Sequence, residues 1–267
     1  MRRALALALM LGPSALWAEG SKVDYTFSRE MAARPVTGGE SRVNSDPVLA
    51  YVEANVTETL YHELAHALID VLDLPVYGPE EFAADMFAIV LMNRLHDGAT
   101  VGDMARDVGQ NYRIYAEHAG DHPDDLALWD VHGPDMQRYY NFACLMYGAD
   151  IQGRETMLAE FDLPEERAET CEDEYRLAAR SWGAVLDSLA TDAPGQSVRI
   201  DWVLNEGDHL TDFVKGEVAR LNAAMVLPEP VTVSVIPCGQ SNAFYDPDPR
   251  EILICTELGE ELAALAE

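Results

Sequence analysis

The chain has 267 residues, 48% of them hydrophobic, with 18 Lys and Arg against 47 Asp and Glu for a formal net charge of −29. So acidic a chain repels a phosphate backbone, and no basic stripe offsets it, which excludes nucleic acid as a partner. The apolar fraction is that of a globular protein, so the charge does not signal disorder, and the length suffices for a sizeable core.

In chain order, Arg2 and Arg3 precede an apolar run over residues 4–11, then Gly12, Pro13 and the segment SALWA ending at Ala18, ahead of the first acid, Glu19. A positive start, a short apolar stretch and a small residue at the cut read as a signal peptide over residues 1–18. The run is too short to span a bilayer, as is every later one. The expectation is an exported protein, periplasmic or secreted, with no stable membrane insertion. Cleavage removes two arginines and no acid, so the mature chain is more acidic still.

Residues 19–45 read as a leader, with one short strand near 23–27. Asp46 then caps a helix with Pro47 in its first turn, and helical periodicity runs to about residue 72. A six-residue link leads to Pro79, Glu80 and Glu81, which open a second helix to about 96. So short a link makes the two helices antiparallel neighbours. Further helices are expected over 100–118, 133–149 and 164–189.

The character changes near residue 193. A strand over 198–204, a helix over 208–225, and strands over 231–237 and 251–255 joined as a hairpin give a β-α-β-β order, closed by a short helix. The fold class is α+β, with a helical part over 46–192 and a mixed α/β part over 193–267 of the same domain. Four cysteines in an exported chain should pair, and Cys144 with Cys171 and Cys238 with Cys255 are the local choices. The acidic runs at 121–125 and 246–248 match no EF-hand loop and read as solvated turns.

HELAH, residues 62–66, carries the chemistry. Its two histidines are four apart and share one helix face, so His62 and His66 can reach one metal ion, with Glu63 beside them as a base for a zinc-bound water. The third ligand should come from the next helix, where Glu81 is the choice and Asp85, one turn on, can accept the outer N–H of a ligand histidine. Glu80 competes with Glu81 but lies about 100° around the helix. Asp70, four after His66, could orient that ring, although a solvated position is the commoner reading. A donor to the developing oxyanion is also needed. His132 is the first candidate, ahead of Arg138, Tyr139, Tyr140 and Tyr147, while His96, His118, His122 and His209 have no partner pattern and read as surface residues.

HELAH followed by Glu-x-x-x-Asp on the next helix resembles the Glu-ligand zincins, the thermolysin-like metallopeptidases. The longer run HELAHALIDVLDLPVYGPEEFAADMFA, with QRYYNFACLMYGAD and CGQSNAFYDPDPREILICTE, is similar to a bacterial metallopeptidase family of unknown function. The resemblance implies one Zn²⁺ per chain and a peptide or protein substrate. It also implies an edge strand that binds the substrate backbone beside the metal, and Asn242, Ala243 and Phe244 resemble that element. In those enzymes the β-α-β-β order precedes the metal-binding helix. Here it follows, as a circular permutation would place it. A different class of protein, a zincin-fold binding protein without turnover or a structural zinc protein, is set against the intact Glu63 and the lack of a fourth protein ligand nearby in the sequence.

Overall fold

The computed structural model describes residues 46–118 and 129–267. The expected signal peptide, the expected leader strand, the acidic run 121–125 and His122 lie outside them. The described residues fall within one compact unit, Pro35–Glu267.

Helix α1 spans Pro47–Leu72, and the Asp46 carboxylate accepts hydrogen bonds from the amides of Val48 and Leu49 at its start. Val56, Leu60, Leu64, Ala67 and Leu68 are fully buried, and apolar side chains around most of its circumference make α1 the central helix. Around it in sequence come α2 (Glu80–Leu95), α3 (Gly98–His118), α4 (Asp135–Ala149), α5 (Met157–Glu160) and α6 (Glu165–Leu189). A disulfide from Cys144 on α4 to Cys171 on α6 ties two of them together.

The mixed part is β1 (Val198–Val203), α7 (His209–Ala224), β2 (Val231–Ile236), β3 (Ala243–Asp246), β4 (Glu251–Cys255) and α8 (Thr256–Leu265). The sheet order is β1-β2-β4-β3. Here the structure corrects the expected β-α-β-β order. Strands 231–236 and 251–255 do not form a hairpin but pair in parallel, and the extra strand β3 is the antiparallel partner of β4. The alternation in VTVSVI and EILIC was legible, yet both strands are buried nearly throughout, as central strands are. The NAFYD segment, with a polar residue at each end, takes the edge, where one flank of the backbone need not pair. Cys238, just after β2, is bonded to Cys255 at the end of β4, so the connection into β3 is held at its root.

α1 packs against α2 and α3 on one side and against α7, α8, β3 and β4 on the other. One buried polar cluster pins the two parts together. The Tyr61 hydroxyl donates to Glu217 Oε2 on α7 at 2.7 Å, Arg220 Nε reaches the other oxygen at 3.1 Å, and His96 Nε2 lies 3.1 Å from the same hydroxyl. His96 is therefore no surface residue; its side chain is nearly buried behind α1. Glu217 is 3% exposed, so Tyr61→Phe leaves a buried carboxylate one donor short. The expected cost is about 1–3 kcal/mol in urea unfolding, and an unchanged midpoint and slope would refute the pinning role.

Candidate metal centre

His62, Glu63 and His66 stand on the central turns of α1, and their place on a helix fixes where the imidazoles meet. His62 Nε2 and His66 Nε2 lie 3.1 Å apart. From the first turn of α2, Glu81 Oε2 lies 3.1 Å from the first of these nitrogens and 3.4 Å from the second. Three donors bound tetrahedrally at about 2.0–2.1 Å from a zinc ion would stand about 3.3 Å from one another. The observed triangle matches that, so the residues fit such an ion.

The outer nitrogens are held as well. His62 Nδ1 is 2.9 Å from Asp85 Oδ1, and His66 Nδ1 is 2.7 Å from Glu80 Oε1. An Nδ1–H given to a carboxylate leaves the Nε2 lone pair free and aimed at the common point. Asp85 is itself gripped by Arg138 of α4, whose Nε and Nη2 donate at 3.0 and 2.7 Å. Arg138 Nη2 also reaches the Tyr112 hydroxyl at 3.3 Å, and that hydroxyl donates to Glu58 Oε1 at 2.9 Å. Asp85 thus lies between the outer nitrogen of His62 and the Arg138 guanidinium. Glu80 does not point idly away, because its side chain is long enough to come back to His66. Arg138 serves Asp85 and is not turned to the donor triangle. Tyr112 and Glu58 went unread, although Glu58 lies one turn before His62 on the same face and could have been found.

The electrostatics follow from crowding carboxylates around two imidazoles. Burial pulls the His62 imidazole down, but hydrogen bonds to Asp85 and Glu81 outweigh it and push it up to about 10. His66 moves up as well, burial again opposing the bonds to Glu81 and Glu80. Glu81 is held far below the carboxylate range by His132, His62 and His66. Burial raises Asp85, yet His62 and Arg138 bring it down to about 2. A pocket that binds a proton this firmly on its histidines is one that favours a cation at the point the donors share.

Glu63 is 8% exposed. Burial pushes its carboxyl up, His62 and His66 draw it back, and the backbone N–H of Tyr245 on β3 points to it and lowers it further. His132 reaches the site across the start of α2, its Nε2 3.0 Å from Glu81 Oε2 with a side chain 47% exposed. The donor atoms of His62, Glu81 and His132 all lie within 4.8 Å of one another. Of the other donor candidates, the Tyr139 hydroxyl is spent on the Phe161 carbonyl at 2.8 Å, and nothing places Tyr140 or Tyr147 at the centre.

Asn242, Ala243 and Phe244 lie at and in the edge strand that α1 crosses. Asn242 Oδ1 accepts the Ala243 amide at 2.9 Å, and its carbonyl accepts the Cys255 amide at 3.1 Å. That bond sets the phase of the antiparallel pair, with Asn242 and Phe244 at bonded positions, so the main-chain groups of Ala243 and Tyr245 turn away from β4. Asp70 does not orient His66; it accepts the Tyr245 hydroxyl at 2.7 Å. His209 is partly exposed beside Glu53. Cys238, Cys255 and Glu257 also cluster, but both sulfurs are in a disulfide and offer no thiolate.

Fold and donor set together define a mostly helical α+β protein with a candidate metal centre shared between two neighbouring helices. The chain belongs to the family DUF4344, described as "Putative metallopeptidase", which matches it over residues 24–186 and 195–267. Neither a curated protein nor a solved structure matches the chain. No described helix is long and apolar enough to cross a membrane.

Proposed function

We propose that this is an exported zinc-dependent peptidase in which His62, His66 and Glu81 hold the metal and Glu63 is the general base. The observation that carries the reading is the meeting of two Nε2 atoms and one carboxylate oxygen at separations of 3.1, 3.1 and 3.4 Å, with the buried Glu63 carboxylate alongside. Two nitrogens and one oxygen suit Zn²⁺, which when bound supplies Lewis-acid chemistry for peptide hydrolysis. Glu63 takes a proton from the attacking water at its carboxylate and returns it to the leaving amine, a task helped by a carboxyl already raised by burial. Asp85 and Glu80 keep both rings turned. The outward main-chain groups of Ala243 and the outward carbonyl of Tyr245 receive an extended peptide as an added strand, with Asn242 at its end and Phe244 anchoring the strand from the other face. The edge position of β3 and its place beside α1 support the resemblance to thermolysin-like zincins, with the sheet following the metal helix as in a circular permutation. The signal-like pattern of residues 1–18 and the two disulfides support export.

A second reading has a specific observation behind it. His132 Nε2 lies 3.0 Å from Glu81 Oε2, close enough to close the site as a fourth ligand, as in a structural zinc centre. In the peptidase reading His132 instead donates to the developing oxyanion. His132→Ala separates the two. Zinc retained at about one per chain with cleavage of a mixed peptide library reduced about 10²–10³-fold marks the donor. Zinc lost marks the ligand, and no cleavage by the zinc-loaded wild-type chain sinks the peptidase reading.

A further inference from the structure

A side-chain bond ties the edge strand β3 to the helix that carries His62 and His66. Tyr245 stands on β3 with its side chain turned to α1, where its hydroxyl donates to Asp70 Oδ2 at 2.7 Å. Asp70 is one turn beyond His66. The main-chain groups of the same residue face outward from the sheet, since Asn242 and Phe244 are the positions bonded to β4. Glu63 stands seven residues before Asp70, two helical turns away on the same face of α1, so holding Tyr245 at Asp70 lays the β3 edge along the face that carries Glu63. Between Glu63 and Asp70 lies His66.

We infer that Tyr245 is a positioning residue, clamped to Asp70, that sets the Glu63 carboxylate in register with the substrate-binding edge of β3. The inference rests on the peptidase reading for its effect on turnover, but the clamp itself stands on geometry alone. A β-strand at a sheet edge has neighbours on one flank only, so its other flank is free to drift unless something holds it. The disulfide between Cys238 and Cys255 fixes the beginning of the β3 segment. Beyond Tyr245 comes the exposed turn that leads into β4, which offers little hold. The phenol–carboxylate bond supplies the missing hold at that end. A charged acceptor makes it stronger than a neutral bond. Asp70 thereby acts on the base and the strand, rather than on the His66 ring.

The test uses the zinc-loaded chain with Tyr245→Phe, Asp70→Ala, Asp70→Asn and the double variant Tyr245→Phe/Asp70→Ala. Tyr245→Phe keeps the backbone N–H and removes only the hydroxyl. Amide hydrogen exchange is read first. Exchange across β3 should quicken about tenfold in Tyr245→Phe and Asp70→Ala while β2 and β4 stay at the wild-type rate. Peptide cleavage is read second. Both variants should lose kcat about ten- to a hundredfold with KM within about twofold, because the base is misplaced while the strand can still pair with substrate. Asp70→Asn should recover most of the loss, since its amide oxygen still accepts the phenol, and the double variant should be no worse than either single one. Unchanged exchange in β3 overturns the clamp whatever the activity. Faster exchange with kcat unaltered, or additive losses, overturns the positioning role. Faster exchange in a chain whose wild type cleaves nothing overturns the turnover effect together with the peptidase reading and leaves the clamp standing.

Discussion

Glu63→Gln is expected to leave the metal and remove the activity. The substitution keeps the shape of the side chain and takes away only its ability to accept and return a proton. Glu63 belongs to none of the three donor separations that define the centre, so zinc should remain near one per chain. Loss of general acid–base help costs about 10²–10⁴-fold in kcat. The upper part of that range is the expectation here, because the group is 8% exposed and solvent has poor access to replace it. The stability change has a definite sign. Burial raises the Glu63 carboxyl, so in the metal-free chain its ionised form is less favourable folded than unfolded. Replacing it with a neutral amide should therefore leave unfolding unchanged or make it slightly harder at neutral pH. Zinc content and peptide cleavage on one preparation, with urea unfolding of the same chain stripped of metal, check all three. Cleavage within tenfold of wild type would remove Glu63 from the chemistry, and loss of zinc would make it a ligand.

The parts of this site that were legible share one property: they follow from helix periodicity. His62 and His66 are four apart, Glu81 and Asp85 are four apart, and the short link between α1 and α2 brings the two faces together. What escaped depends on side-chain reach or on distant chain. Glu80 was set aside because helix phase turns its Cα–Cβ bond about 100° from Glu81, yet a glutamate has three rotatable bonds, enough to come round to His66 Nδ1. Arg138 was weighed for the oxyanion and not for Asp85, because the two are 53 residues apart. Asp70 has the spacing of a His66 orienter, but its partner, Tyr245, is 175 residues away. In the sheet, alternation identified β2 and β4, while β3, only four residues long, carries too short a period to read as a strand. Since β3 intervenes between them, the parallel pairing of β2 and β4 was hidden along with it.

The two neighbouring glutamates of α2 should separate cleanly by metal affinity. Glu81→Ala takes away one of three donors and the carboxylate on which His62, His66 and His132 all converge. Two histidines alone bind zinc weakly, so the chain should come out of dialysis with little metal. Glu80→Ala removes only the support of His66 Nδ1. Such outer partners are worth about 10–100-fold in affinity. Glu80 sits at the lower end, since its carboxylate is 48% exposed and water can take its place at the ring. Asp85→Ala should be the more damaging of the two supporting changes. It uncovers His62 Nδ1 and also strands the Arg138 guanidinium, a partly buried cation that then lacks its anion. The expected order of zinc affinity is wild type, Glu80→Ala, Asp85→Ala, Glu81→Ala, measured by competition with a chromogenic chelator at fixed pH. Equal losses for Glu80→Ala and Glu81→Ala would mean that the metal is shared between both carboxylates and that the triangle of donors is drawn on the wrong oxygen.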